Sequence, residues 1–263
     1  KGDHYEYVGA YVDDLLLVSK TPKAIVDAFL NVHKFQLKGT GEVSYHLGCD
    51  FYRDENGALC FAPRKCIEKM LANCERACGC EPRKASSPLT KGDHPELDDS
   101  ALLGDEDAAI YQSLIGALQW VIQIGRFDIT TATMTLSRFR VAPRQGHLDR
   151  VKRMHGYLSK MRHAEMRICT EVPDYSDIPE KEHDWTCSVC GNAKEEIPQD
   201  APRPLGKGVK TTTFKDANLY HDLISGKSVA GILHLFNETP IDWHSKLQSM
   251  VETATFGSEC VAG

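Results

Sequence analysis

Tyr11-Val12-Asp13-Asp14 stands between two apolar runs, residues 5–10 before it and Leu15-Leu16-Leu17-Val18 after it. The runs predict adjacent strands joined by a tight turn, a β-hairpin over residues 5–18 with both carboxylates at an exposed tip. Two carboxylates held together repel, and a divalent cation removes that cost. Mg²⁺ is hard, takes oxygen ligands, and is held by one or two carboxylates together with substrate phosphates. A plain turn is the alternative, because Asp is common in turns. Four residues do not separate the two readings; the rest of the chain does.

Beyond the hairpin, Thr21-Pro22 predicts a helix start, with Thr as cap and Pro in the first turn. Ile25, Phe29 and Val32 supply its apolar face. Residues 43–53 and 58–61 read as strands joined by Asp54-Glu55-Asn56-Gly57, since Asn-Gly is a strong hairpin signal. Residues 63–74 predict a helix whose inner face is Ile67, Met70, Leu71 and Cys74. Residues 81–103 are rich in Pro, Ser and Asp and read as loop. Apolar positions 111, 114, 115, 118 and 122 mark a further helix, and Leu148, Val151, Met154, Leu158 and Met161 another. Arg150, Arg153 and Lys160 fall off that last stripe, as solvated cations or as phosphate contacts. Residues 171–205 show no periodicity and read as a tether. A strand leading into Asp216, strands over residues 229–236 and 241–244, and a helix over residues 253–262 carrying Glu259 complete the chain.

In this order the motifs resemble copia-type retrotransposon polyproteins. Tyr11-Val12-Asp13-Asp14 resembles the Tyr-x-Asp-Asp box of reverse transcriptases. Tyr45-His46-Leu47-Gly48-Cys49-Asp50-Phe51 is similar to the primer-grip hairpin, and Ser87-Pro88-Leu89 to a following landmark. Residues 111–118, Gly125-Arg126-Phe127-Asp128-Ile129 and Leu136-Ser137-Arg138-Phe139 with Pro143 and His147 continue the match. Asp216-Ala217-Asn218, Asp242-Trp243-His244-Ser245-Lys246-Leu247-Gln248 and Glu259-Cys260-Val261-Ala262 resemble the opening half of the family's ribonuclease H.

The resemblance implies an α+β chain in four parts. Residues 1–62 are the remainder of a polymerase palm with β-hairpins, and 63–167 a helical thumb-like region. Residues 168–208 are the tether, and 209–263 the first half of a ribonuclease H-like fold, three antiparallel strands and a helix. It implies Mg²⁺ (or Mn²⁺) on Asp13 and Asp14, and on Asp216 with Glu259. Glu252, two helical turns earlier, competes for the place of Glu259. It further implies an RNA template, a DNA primer, an RNA–DNA hybrid and deoxynucleotides as partners, with phosphate contacts at Arg150, Arg153 and Lys160. The N-terminal palm and fingers, with a further Asp, are expected before residue 1, and more carboxylates after residue 263. Each centre is thus expected to be half present and the chain inactive alone. The setting implied is a cytoplasmic particle, with possible nuclear import. A non-catalytic nucleic-acid-binding remnant is the alternative reading.

The chain has 263 residues, 41% hydrophobic and 26% charged, an ordinary globular composition. No apolar run long enough for a membrane span exists, and the start Lys-Gly-Asp-His has no signal-peptide character. Ten scattered cysteines without a secretory signal predict reduced thiols. Net charge is −6, but it is unevenly placed. Residues 138–167 hold nine Lys or Arg against two acids, and residues 171–200 hold nine acids against two lysines. The first block is the expected phosphate footprint.

Two further motifs carry less. His183, Cys187 and Cys190 suggest zinc, and with it a small zinc-binding adaptor, but a fourth ligand at suitable spacing is missing. Ser225-Gly226-Lys227-Ser228 ends like a phosphate-binding loop, yet His221 occupies the position of that pattern's first glycine.

Overall fold

The computed structural model describes residues 3–179 and 196–262. His183, Cys187 and Cys190 lie outside the described residues. The chain is mixed α/β with small antiparallel sheets, and it divides into two units. One comprises Lys1–Glu42 and Glu171–Lys210, the other Val43–Thr170 and Thr211–Gly263. The first hairpin and the second therefore belong to different units, although the sequence reading joined them.

In the smaller unit, β1 (Tyr7–Tyr11) and β2 (Asp14–Val18) pair antiparallel with Tyr11 opposite Asp14. The connection is the two-residue turn Val12-Asp13, and Val12 takes φ 51°. α1 (Pro22–Asp27) follows and widens into a π-helical stretch, Ala28–Val32. Thr21 precedes it as foreseen, but its side chain makes no capping bond. Its carbonyl accepts from Ala24 N–H instead. The segment from the second half of the sequence reaches this unit through Tyr5, whose hydroxyl donates to the Arg203 carbonyl at 2.6 Å.

The larger unit opens with β3 (Tyr45–His46), β4 (Cys49–Arg53) and β5 (Leu59–Ala62), joined by β6 (Met166–Arg167) into one sheet of order β3-β4-β5-β6. Residues 43–53 were expected as one strand. The structure folds them back on themselves at Leu47-Gly48, whose φ values of 50° and 91° build a hairpin turn. The β4–β5 turn is the one expected. Asp54 Oδ1 accepts from the N–H groups of Asn56 and Ala58, and Gly57 takes φ 79°.

α2 (Arg64–Cys78), α3 (Asp105–Gln123), α4 (Thr130–Ser137) and α5 (Gln145–Lys160) form the main core. Ile67, Met70 and Cys74 of α2 meet Tyr111, Leu114, Ile115 and Leu118 of α3 and Val151, Met154 and Leu158 of α5. These are the apolar stripes read from periodicity. Met161 is the exception, since α5 ends before it and leaves it exposed. α2 runs one turn beyond its expected end and stops at Gly79, in the left-handed region at φ 70°. Residues 81–103 are irregular apart from one 3₁₀ turn, Pro95–Leu97.

β7 (Thr211–Asn218), β8 (Val229–Phe236) and β9 (Thr239–Leu247) form an antiparallel sheet in that order. Asn237 and Glu238, at φ 44° and 68°, make the turn between β8 and β9. Pro240 sits beside a register shift opposite His234 and Leu235, on the edge strand, where no ladder N–H is needed. α6 (Thr255–Ala262) closes the chain and packs Ala262 against Ala217 and Ala230. Among the described residues no helix is long and apolar enough to cross a membrane, and the eight described cysteines are free.

Candidate metal and nucleic-acid sites

Asp13 and Asp14 occupy the tip of the β1–β2 hairpin, and both side chains are exposed. Asp13 is the second turn residue, and Asp14 opens β2. The pair offers oxygen donors to solvent at a point where two strands converge, a donor set that suits Mg²⁺ with phosphates as its other ligands. Val12 beside them is β-branched, 87% exposed and in the left-handed region. No packing holds it there, so the turn itself carries the strain.

Asp216 lies within β7 opposite Gly231. Its neighbour Ala217 packs toward α6 with its cross-strand partner Ala230. The two-residue period of a strand then sends the Asp216 side chain to the other face. There it lines a recess of about 410 Å³ together with Phe127, Thr131 and Trp243. Glu259 approaches β7 from α6, and its Oε1 accepts from Ala217 N–H at 3.2 Å. The two carboxylates thus meet the strand at adjacent residues but from different faces, and they fit a shared ion poorly. The Glu252 carboxylate lies against Gly257 in the first turn of α6. Among the described residues, no group of three or more His, Cys, Asp or Glu side chains could hold a metal ion.

The cations of α5 have different environments. The Arg150 guanidinium is bound to Asp93 at 2.8 Å and to Asp98 at 2.5 Å, with both carboxylates largely buried. Burial pushes the Asp98 carboxyl up, but hydrogen bonds from Ser100 and Arg150 outweigh it and leave its pKa below the usual value. Arg153 Nη2 donates to Ser87 Oγ at 3.1 Å. Lys160, at the end of α5, is exposed. Elsewhere in the block, Arg138 pairs with Asp222 and Arg167 with Asp54. Three of the nine cations counted between residues 138 and 167 are therefore paired with acids from distant sequence.

Three anchoring roles went unread in the sequence, although Arg126 and Asp128 belong to the motif at residues 125–129. Arg126 is 2% exposed, pairs with Asp128 at 2.7 Å and donates to the Met161 carbonyl at 3.1 Å. Arg and Asp two residues apart was the available signal. Asp222 is 1% exposed and organises residues 222–227, accepting from Ser225 N–H and from Arg138. Burial raises its carboxyl, but these bonds win and bring its pKa down to about 2. Nothing near it in sequence distinguishes it from a surface loop acid. His155 is fully buried with Nδ1 on the Val151 carbonyl, and burial pushes its pKa down to about 4. The motif at residues 243–248 also acquires a structural meaning. Trp243 packs on the helical core, Ser245 Oγ accepts from Thr131, and Gln248 Nε2 donates to the Ser258 carbonyl.

Comparison with known proteins adds a lineage. The chain is 30% identical over 156 residues to the putative transposon Ty5-1 protein of Saccharomyces cerevisiae, covering 58% of this chain and 48% of that protein. It is 28% identical over 162 residues to the retrovirus-related Pol polyprotein from transposon RE1 of Arabidopsis thaliana, covering 60% of this chain and 10% of that one. The chain is a relative of retrotransposon polyproteins. It spans about half the length of the first of these relatives and about a tenth of the second. No protein-family model and no solved structure matches it.

Proposed function

We propose that this chain is part of a copia-type RNA-directed DNA polymerase joined to the opening half of a ribonuclease H-like domain. The observation that carries the reading is the exposed Asp13-Asp14 pair at a two-residue hairpin tip. Its relatives' names, a transposon protein and a Pol polyprotein, support the same class. Asp13 and Asp14 would hold Mg²⁺ (or Mn²⁺), which neutralises phosphate charge and orients the attacking and leaving oxygens. The partners are an RNA template, a DNA primer, deoxynucleotides and the RNA–DNA hybrid product, in a cytoplasmic particle.

Catalysis by this chain alone is not part of the proposal. Two adjacent carboxylates do not fix two ions, and Asp216 and Glu259 are split between faces. A polymerase centre would need at least one further carboxylate beside Asp13 and Asp14, and among the described residues no group of three such side chains comes together. This favours, for the isolated chain, the role of a nucleic-acid-binding piece.

Primer extension on an RNA template by the purified chain should be undetectable with either metal. Robust extension would show that a complete centre lies within these residues and would overturn this account of the site. The same preparation should bind RNA–DNA hybrid weakly and without sequence preference at low salt. No retention at the lowest salt would remove the support for the nucleic-acid reading.

A further inference from the structure

Gly231 sits in the central strand β8, flanked by Asp216 on β7 and Ser245 on β9. Glycine weakens a strand interior and often marks a place where a ligand or another backbone comes close. No backbone explains this one, because a Cβ built at Gly231 meets nothing within 4 Å. The open space above it is the recess of about 410 Å³ on the sheet face turned away from α6. That volume lies in the range of small-molecule sites.

The walls have a definite chemistry. Phe214, Leu233 and Trp243 form the next cross-strand row on this face. Phe214 is 57% exposed, and the Phe127 ring stands 5.5 Å from that of Trp243. One side of the recess is therefore an aromatic surface. The other side is polar: the Asp216 carboxylate lies at one end, and the Thr131 and Ser245 hydroxyls, 3.1 Å apart, at the other. A flat ring would find a stacking surface on the first side. Across it, the Asp216 carboxylate is an acceptor suited to an exocyclic amino group, and the hydroxyl pair offers a donor suited to a ring nitrogen or carbonyl.

We infer that the recess above Gly231 binds a planar, amino-bearing nucleobase. The choice of a nucleobase over other flat amines rests on the proposed function; the recess and its chemistry do not. The base comes from a free mononucleotide or from an unstacked position of a single strand, the form in which bases are taken up on aromatic side chains.

The test uses the full chain without divalent metal, so that its outcome is independent of any polymerase or nuclease centre. Adenosine monophosphate, ribose 5-phosphate and an adenine hexanucleotide are titrated by calorimetry and ligand-observed magnetic resonance. Adenosine monophosphate or the hexanucleotide should bind saturably, and ribose 5-phosphate should not. Equal affinity for both adenine ligands identifies the free nucleotide, whereas tighter hexanucleotide binding identifies the strand. Phe214→Ala should weaken binding roughly tenfold, the scale of one base–aromatic stack. Gly231→Val raises a branched side chain from the floor of the recess where the ring would lie, should abolish binding, and should leave the melting temperature equal or higher, because valine suits a strand. Binding unchanged in Gly231→Val, or no adenine ligand bound better than ribose 5-phosphate, overturns the inference. Retained hybrid binding with either result would show that the inference fails while the proposed function stands.

Discussion

Val12 holds the tip of the first hairpin in a conformation that costs an L-residue roughly 1–2 kcal/mol, more than its exposure returns. Glycine at this first turn position is the usual solution. Val12→Gly should therefore stabilise the hairpin by up to about 1 kcal/mol after its own entropy cost, read as greater hydrogen-exchange protection of the β1 and β2 amides. Destabilisation would place the strain elsewhere. His155 gives a pH test with a definite sign. Its folded pKa is about 4, and a free histidine titrates near 6.5. The unfolded chain takes up the proton first, so stability is intact above pH 6.5 and falls as pH drops from there to about 4. The loss is on the order of 3 kcal/mol at the lower end. The Asp222 pair, whose carboxyl is held near 2, weakens only below the usual carboxylate range, so the two effects separate. Urea unfolding at pH 7.5 and 4.5 should show the drop, and His155→Met should flatten it.

At the scale of elements, α5 shows why hydrophobic periodicity is the more local signal and charge counting the less local one. The stripe Leu148, Val151, Met154 and Leu158 is a local property of one helix, and it is buried as read. The partners of Arg150 are Asp93 and Asp98, more than fifty residues away in a loop without periodicity, and no local pattern announces them. Arg150→Ala leaves two buried carboxylates uncompensated and should cost roughly 3–5 kcal/mol in thermal or urea unfolding. A cost below 1 kcal/mol would show that the pair is only a surface contact. Lys160 is the α5 cation left at the surface, and Lys160→Ala should lower the slope of log affinity against log salt for hybrid by about 1. The β3–β4 hairpin makes the same point for backbone. Leu47-Gly48 turns the chain within what reads as one strand, because a left-handed leucine is not a sequence signal. The β4–β5 turn was readable because Asp54, Asn56 and Gly57 are turn residues with known mechanics.

For the whole molecule, most element types and their order were readable from periodicity and turn chemistry, down to the three strands and final helix around Asp216 and Glu259, but α4, the short β6 and the β3–β4 turn were not. The grouping into units was not, since the contacts of residues 171–210 with residues 1–42 are set by three-dimensional packing. The candidate carboxylates were readable through resemblance, whereas their faces were not. Placement of Asp216 opposite α6 depends on which residue of β7 packs against Ala262. Among its described residues the smaller unit holds no fully buried side chain, and its hairpin exposes Tyr7, Val8, Tyr11 and Val18. The central claim is that Asp13 and Asp14 form the metal-binding tip of this hairpin. Mn²⁺ titrated into isotopically labelled chain, with a deoxynucleoside triphosphate present, tests it directly. The account predicts paramagnetic broadening centred on residues 12–15, abolished in Asp13→Asn with Asp14→Asn and retained in Asp216→Asn. Broadening centred elsewhere, or unchanged in the double variant, would contradict it.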